Sequence, residues 1–409
     1  MKKIITFKKV LNNEFIIKII ESFFGKVSFV LFTMLFSFVC TRLYGAEIFG
    51  QYTYAFSIVT LLMIFAKAGF DNSLIYYIPK YKDKYISLSF VVNVIISVIL
   101  VLVANFFIDE WFVKLMLPLI WLVSMEQLFF GIYRANGNIK GFYFVNGFLA
   151  GLFKILLIIL FYFVFDRNFL SIALAIYISF LLSNLIYFYQ NKERFKKVIY
   201  DNGFLKYSFS LVLAAVMGVT MDKIDIIMLG TMKDMKSVGI YQIDVQVANI
   251  IFMILVIFDT VFGPQISKLY HSGKYKELQD LYVKSTRVLG LLSLISLIIL
   301  IVFSKYILLL FGKEFVEGQM ALILRGFGQF INVAVGSVWL MLAMTGNPKW
   351  HIYTNFIALT LNIILNYLLI PKYGVNGAAF ATMTSMILVN IIGYILVCKV
   401  FKVRVYGIV

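Results

Sequence analysis

Residues 346–355 read GNPKWHIYTN, and residues 137–146 read GNIKGFYFVN. Each copy spells Gly-Asn-x-Lys, with an Asn six residues after the Lys. A second echo lies elsewhere in the chain. FGQYTYAFSI at 49–58 and VGIYQIDVQV at 238–247 each carry Gly-x-Tyr near the start of an apolar run. Pairs at matching places in two halves point to a duplicated unit, so the first question is what that unit is.

Composition answers part of it. The 409 residues are 62% hydrophobic and 14% charged. A soluble domain would carry roughly 25% charged residues. Apolar runs of about 20 residues recur along the chain, each long enough to cross a hydrocarbon layer of roughly 30 Å as a helix. The runs are continuous, without the alternation of barrel strands, which favours helices. We expect an all-α polytopic membrane protein with about 12 spans, at 22–44, 49–78, 86–108, 112–133, 142–164, 168–190, 204–230, 237–263, 286–311, 317–344, 350–370 and 376–398.

The net charge of +17 then reads as topology rather than as nucleic-acid affinity. Basic segments such as KYKDK (80–84), NKERFKK (191–197) and SKLYHSGKYKELQDLYVKSTR (267–287) fall on one side of the span map. The other side has short mixed loops, such as IDEW (108–111) and GKEF (312–315). The positive-inside rule puts both termini in the cytoplasm. Pro79, Pro264, Pro348 and Pro371 sit at span ends, while Pro118 should kink the fourth span. Residues 1–21 read as an amphipathic segment on the inner surface, without a signal-peptide cleavage site.

The polar stretch NKERFKKVIYDNG at 191–203 is the natural divide. It leaves six spans in 22–190 and six in 204–400, followed by a cytoplasmic tail at 401–409. GNIK and GNPK then occupy equivalent inner loops, between spans 4 and 5 and between spans 10 and 11. An even number of spans between the copies gives them the same orientation. The two bundles should therefore be related by a pseudo-twofold axis along the membrane normal, with a central cavity between them.

Charges inside spans are the candidates for function, because a lipid-facing Lys or Arg at mid-bilayer costs about 2.5–3.5 kcal/mol on the insertion scale. Lys67, Lys154 and Arg325 are expected to line a cleft and receive an anionic group; an internal ion pair is the structural alternative. Arg42, Arg134 and Lys26 lie nearer span ends, where gating and interfacial snorkelling are both open. Asp222 and Asp225, three apart in MDKIDIIMLG, share a helix face. With Glu126 they are candidates for coupling transport to a proton or Na+; a salt bridge is the alternative. Cys40 and Cys398 make no CxxC and read as small hydrophobes, and His271 and His351 lack partners at metal spacing. No metal or other cofactor is expected, and no hydrolase, P-loop or Rossmann motif is present.

Three stretches carry a resemblance. They are TRLYGAEIFGQYTYAFSIVTLLM (41–63), KIDIIMLGTMKDMKSVGIYQIDVQVANI (223–250) continued by GPQISKLYHSGKYKELQDLYVKSTR (263–287), and the tail segment MTGNPKWHIYTNFIALTLNIILNYLLIPKYGVNGAAFAT (344–382). The LNxxLNYLLIPKYGxxGAA pattern in the last is the most specific. Together they resemble the O-antigen and capsule repeat-unit flippases of the multidrug/oligosaccharidyl-lipid/polysaccharide exporter superfamily. The resemblance implies a twelve-helix, two-bundle fold with a central cavity. It implies a transporter, not an enzyme, that moves undecaprenyl-diphosphate-linked oligosaccharide to the outer leaflet of a bacterial inner membrane. Partners would be that lipid-linked oligosaccharide, membrane lipids and a polysaccharide polymerase, with no nucleic acid. An ion-coupled drug or metabolite antiporter of the same fold is the alternative. Bases outnumber acids at mid-depth in the first half, which favours an anionic cargo.

Overall fold

A computed structural model describes residues 14–165, 167–403 and 405–406. Most of the surface segment expected over 1–21 therefore lies outside the described residues. The rest is helical. α1 spans Glu14–Lys67 and α2 Phe70–Tyr81; α3 is Ile86–Phe107, α4 Trp111–Met116 and α5 Leu119–Ala135. α6 (Ile139–Tyr143), a π-helical turn (Phe144–Leu149) and α7 (Ala150–Phe165) form one continuous rod. α8 is Phe169–Asn191, α9 Asn202–Ser210 and α10 Val212–Met232. α11 (Met235–His271), α12 (Tyr275–Phe311), α13 (Gln319–Ala334), α14 (Val338–Met344) and α15 (Lys349–Phe401) complete the chain.

Among the described residues, nine continuous helical stretches are long and apolar enough to cross a membrane. Two of them contain a glycine with non-helical dihedrals, Gly45 (φ 83°) in α1 and Gly374 (φ 53°) in α15, and each divides into two spans there. Left-handed φ is cheap only for glycine, so these are the places where a rod can turn back. Residues 202–232 take the place of the remaining expected span, the one whose apolar run carries Asp222, Lys223 and Asp225. The helix steps at Leu117–Pro118, where the expected kink lies. By contrast Pro264 sits inside α11, which continues to His271, and α12 already begins at Tyr275. The expected inner loop at 264–285 is thus mostly helix, because a charged amphipathic segment keeps its backbone bonds when the rod leaves the apolar layer.

The repeated Gly-Asn pair has a local explanation. Gly137 (φ 70°) and Gly346 (φ 86°) both end a helix in the left-handed conformation. Asn138 N–H then donates to Tyr133 O at 3.0 Å, and Asn347 N–H to Leu342 O at 2.8 Å, closing the same six-residue cap. Gly273–Lys274 makes that cap as well, without the repeated Gly-Asn pair, so the conformation follows from the glycine rather than from duplication.

The contacts divide the chain into two compact units, the first ending at Lys223 and the second beginning at Ile224. The sequence-based divide lies earlier, at 191–203. The difference has a cause in aromatic packing. Phe204 of α9 stacks on Tyr85 at 4.5 Å and on Phe70 at 5.6 Å, and α9 comes so close to α2 that a Cβ on Gly69 would stand 2.1 Å from Ser208 O. The 191–203 segment is itself pinned. Arg194 pairs with Asp83 at 2.7 Å, and Tyr85 donates to Asp201 at 2.6 Å, a bond that holds the Asp201 carboxyl below the usual carboxylate range. In the second unit the expected tail at 401–409 is partly docked: Val403 and Val405 are buried, and Tyr406 donates to Ala334 O at 2.7 Å. Residues 404 and 407–409 lie outside the described residues.

Candidate functional site

Small residues bring the first unit's helices together. Gly147 and Gly151, four apart on the rod that runs from the π-helical turn into α7, face α1: a Cβ on Gly151 would stand 2.8 Å from Phe32 Cβ, and one on Gly147 3.3 Å from Phe29 N. The wider π turn carries Asn146 toward α5, where it donates to Glu126 at 2.5 Å. Ser183 of α8 donates to the other Glu126 oxygen at 2.9 Å. Glu126 is almost wholly buried, yet each oxygen keeps acceptor capacity.

Glu126 lines a cavity of about 440 Å3 within this unit. Lys154, half-buried on α7, lines the same space, with its ammonium 4.8 Å from the centre of the Phe36 ring. Lys26, exposed, and Asn146 and Ser183 also line it. Aromatic rings make much of the remaining wall, among them Tyr52 and Phe56, stacked at 5.6 Å, and Phe180. An apolar and aromatic wall with a few convergent polar groups is the composition of a small-molecule site. Both signs of charge are present, so the cavity can meet an anion at Lys154 and donors such as hydroxyls or amides at Glu126.

The second unit treats its buried acid differently. Asp225 of α10 accepts from Tyr241 at 2.8 Å, from Asn366 at 2.7 Å and from Thr382. Arg325 of α13 lies 3.7 Å from it, and its guanidinium sits 5.9 Å from the Tyr241 ring centre. Asn362 bonds Asn366 at 2.9 Å and completes the network. The network partners both oxygens of the buried carboxylate, while Arg325 Nε has no hydrogen-bond partner; a buried charge pair of this kind is costly to break from one side.

The expected site residues therefore separate. Lys154, Glu126 and Lys26 meet in the first unit's cavity. Lys67 does not line it; it pairs with Asp71 at 2.7 Å across the break at Ala68–Gly69, and both side chains are nearly buried. Arg42 and Arg134 are exposed, over Phe38 (6.0 Å) and Phe130 (5.4 Å). Arg325 and Asp225 belong to the closed network of the second unit. Asp222 is exposed although it lies one turn from buried Asp225, so the helix face they share spans two environments. Sequence reasoning missed Asp71, Asn146, Ser183, Tyr241 and Thr382. The i,i+4 spacing of Lys67 and Asp71 was a usable signal. Asn146 closes the repeated motif, but nothing in the motif pointed to Glu126. Cys40 and Cys398 are free and buried, as expected.

A family model described as polysaccharide biosynthesis protein matches residues 18–270, and a second, MatE, matches residues 210–368. The capsular polysaccharide biosynthesis protein CapF of Staphylococcus aureus is 26% identical over 388 residues, 91% of this chain and 96% of that protein. The probable flippase AglR of Haloferax volcanii is 27% identical over 172 residues, 41% of this chain and 36% of that one. Among solved structures, an inward-facing multidrug resistance MATE family transporter of the MOP superfamily aligns with a TM-score of 0.73 at 12% identity, covering 93% of this chain and 98% of that one. A MOP superfamily transporter from Pyrococcus furiosus, whose report describes a binding pocket of reverse polarity, aligns with a TM-score of 0.64 at 12% identity and 95% of each chain. The architecture is the all-helical, twelve-helix, two-bundle one.

Proposed function

We propose, from the premise that this chain belongs to the polysaccharide biosynthesis protein family and is a membrane transporter of the MOP superfamily, that it flips lipid-diphosphate-linked oligosaccharide repeat units across a bacterial inner membrane. The cargo moves from the inner to the outer leaflet by alternating access, and both termini lie in the cytoplasm. A polysaccharide polymerase is the partner expected to consume the delivered unit.

The observation that carries this reading is the cavity of the first unit, where Lys154 and Lys26 share aromatic walls with Glu126. A diphosphate between lipid and sugar is rejected by hydrocarbon, and a cation in a wet pocket replaces part of its lost hydration. Lys154 supplies a point charge within the membrane, and exposed Lys26 and Arg134 supply charge at the approach. Glu126, Asn146 and Ser183 offer acceptors and donors to sugar hydroxyls, with rings beside them for the apolar sugar faces. About 440 Å3 accommodates one or two sugar residues rather than a long chain. The polyprenyl tail stays in lipid throughout.

A second reading has its own support. The MatE match over 210–368 and a cavity within the roughly 300–1,000 Å3 of drug-sized sites fit an ion-coupled drug or metabolite antiporter. A proteoliposome assay separates the two. Purified protein is reconstituted with a polyprenyl-diphosphate oligosaccharide, and an impermeant probe reads which leaflet displays the sugar. Flipping by the wild type that falls at least about tenfold in folded Lys154→Ala supports the first reading. Export of a cationic drug without flipping would replace it with the second.

A further inference from the structure

Glycine explains the backbone of the repeated Gly-Asn-x-Lys turn, but the side chains that follow repeat as well. Lys140 is followed by Phe144 at the fourth position and Phe148 at the eighth; Lys349 is followed by Tyr353 and Ile357 at the same offsets. All six are exposed. Positions four apart share a helix face, so each turn leads into a stripe of one cation followed by two large aromatic or apolar side chains. The Asn six residues after the first Lys points elsewhere, since Asn146 bonds Glu126.

Each stripe borders a groove. In the first unit the groove measures about 420 Å3 and is walled by Phe24, Tyr143, Phe144 and Phe148 beside Lys140. Phe148 stacks on Phe144 at 5.9 Å and meets Phe32 edge-on at 5.5 Å, which fixes that wall. Asn138 Oδ1 accepts from Gly141 N–H at 3.1 Å and sets the turn that carries Lys140. Tyr143 is the one residue this groove has in common with the Glu126 cavity among the described residues. In the second unit a groove of about 400 Å3 is bordered by Lys349, Trp350 and Tyr353 at the head of α15, and His351 anchors that turn by stacking on Trp339 at 4.4 Å. Among the described residues no acid borders either groove.

Eight helical residues rise about 12 Å. One headgroup layer is roughly 5–7 Å deep, so a Lys at the level of the phosphates sets the eighth residue among acyl chains. We propose that each Gly-Asn-x-Lys turn seats one anionic phospholipid of the inner leaflet, with its phosphate at Lys140 or Lys349 and an acyl chain along the side chains that follow. An ammonium carries three donors, so a contact within the protein leaves others for a phosphate oxygen. A zwitterionic headgroup brings its own cation to a groove that offers no acid, which selects for the anionic one. The inference rests on the proposed orientation, with both termini in the cytoplasm, and not on which cargo moves.

The test uses the full chain in phosphatidylcholine vesicles containing a rising fraction of brominated phosphatidylglycerol or of brominated phosphatidylcholine. The signal is the part of the tryptophan emission that Trp350→Phe removes; Phe144→Trp in that background reports the first groove. Phosphatidylglycerol should quench each reporter with at least about fivefold preference over phosphatidylcholine, the size of one Lys at an anionic surface. Lys349→Gln should abolish the preference at Trp350, and Lys140→Gln should abolish it at the introduced Trp, while the Arg variants keep it. Exposed Lys276 borders neither groove, so Lys276→Gln should change nothing. Equal quenching by the two lipids would overturn the proposal, as would a preference that survives the Gln variants or falls as far in Lys276→Gln. Recovery of emission on adding inorganic phosphate would show a site for free anions and also overturn it. Both leaflets carry the quencher, so a reversed orientation leaves the binding result standing and the two readings fail separately.

Discussion

Glu126 and Asp225 are both buried acids on membrane helices, and the two units handle them in opposite ways. Glu126 holds two neutral donors and faces a cavity of about 440 Å3 that it shares with Lys154. Asp225 is enclosed by Tyr241, Asn366, Thr382 and Arg325. The first arrangement keeps acceptor capacity and space for an exchangeable ligand. The second uses its capacity within the protein. A buried charge is thus a poor guide to ligand binding until its remaining hydrogen-bond capacity and the space beside it are known.

The comparison can be broken most forcefully in the second unit. Arg325→Met should leave Asp225 buried with no cation and destabilise the protein by roughly 3–5 kcal/mol, read as a lower thermal midpoint in detergent. A change below about 1 kcal/mol would mean that the network is not locked. In the first unit, Glu126→Gln should cost about 1–2 kcal/mol, since its amide accepts from one neighbour and confronts the donors of the other. Its transport defect should exceed its stability defect, and equal losses would make Glu126 structural. Lys154→Met removes a cation that makes no ion pair with Glu126, so stability should stay within about 1 kcal/mol while transport of an anionic cargo falls. Double substitution of Lys154 and Glu126 sharpens the point: coupling well below the 0.5–3 kcal/mol range of contacting pairs would confirm that open space separates them.

The smallest effect belongs to the 191–203 segment. Tyr85 holds the Asp201 carboxyl below its ordinary range, so this tether stabilises above about pH 4 and is lost as pH falls through the lowered folded value. Amide exchange over 196–203 should accelerate only in that acid window, and Asp201→Asn should abolish the pH step.

Much of this was legible in the chain. Run length and composition placed the spans, and Pro118 marked the step between α4 and α5. Glu126 and Lys154 stood out because charges in apolar runs are expensive. The same rule selected Lys67 and Arg325 with equal force, although one pairs with Asp71 and the other with Asp225. It gave no reason to single out Asn146. The bundle divide also escaped it, since aromatic packing of Phe204 draws α9 to the first unit.

The sequence by itself determined the solvent and the spans, because the transfer of an apolar run from water to hydrocarbon is a local sum over its residues. It also determined where the chain turns, because the left-handed conformation at Gly137 and Gly346 is a property of glycine. Only the tertiary structure decided which buried charges are satisfied and which face open space. Successive helical side chains are about 100° apart, so a small rotation of one helix exchanges a partner for a cavity. That rotation is set by packing among helices distant in the chain, such as α10, α11, α13 and α15 around Asp225.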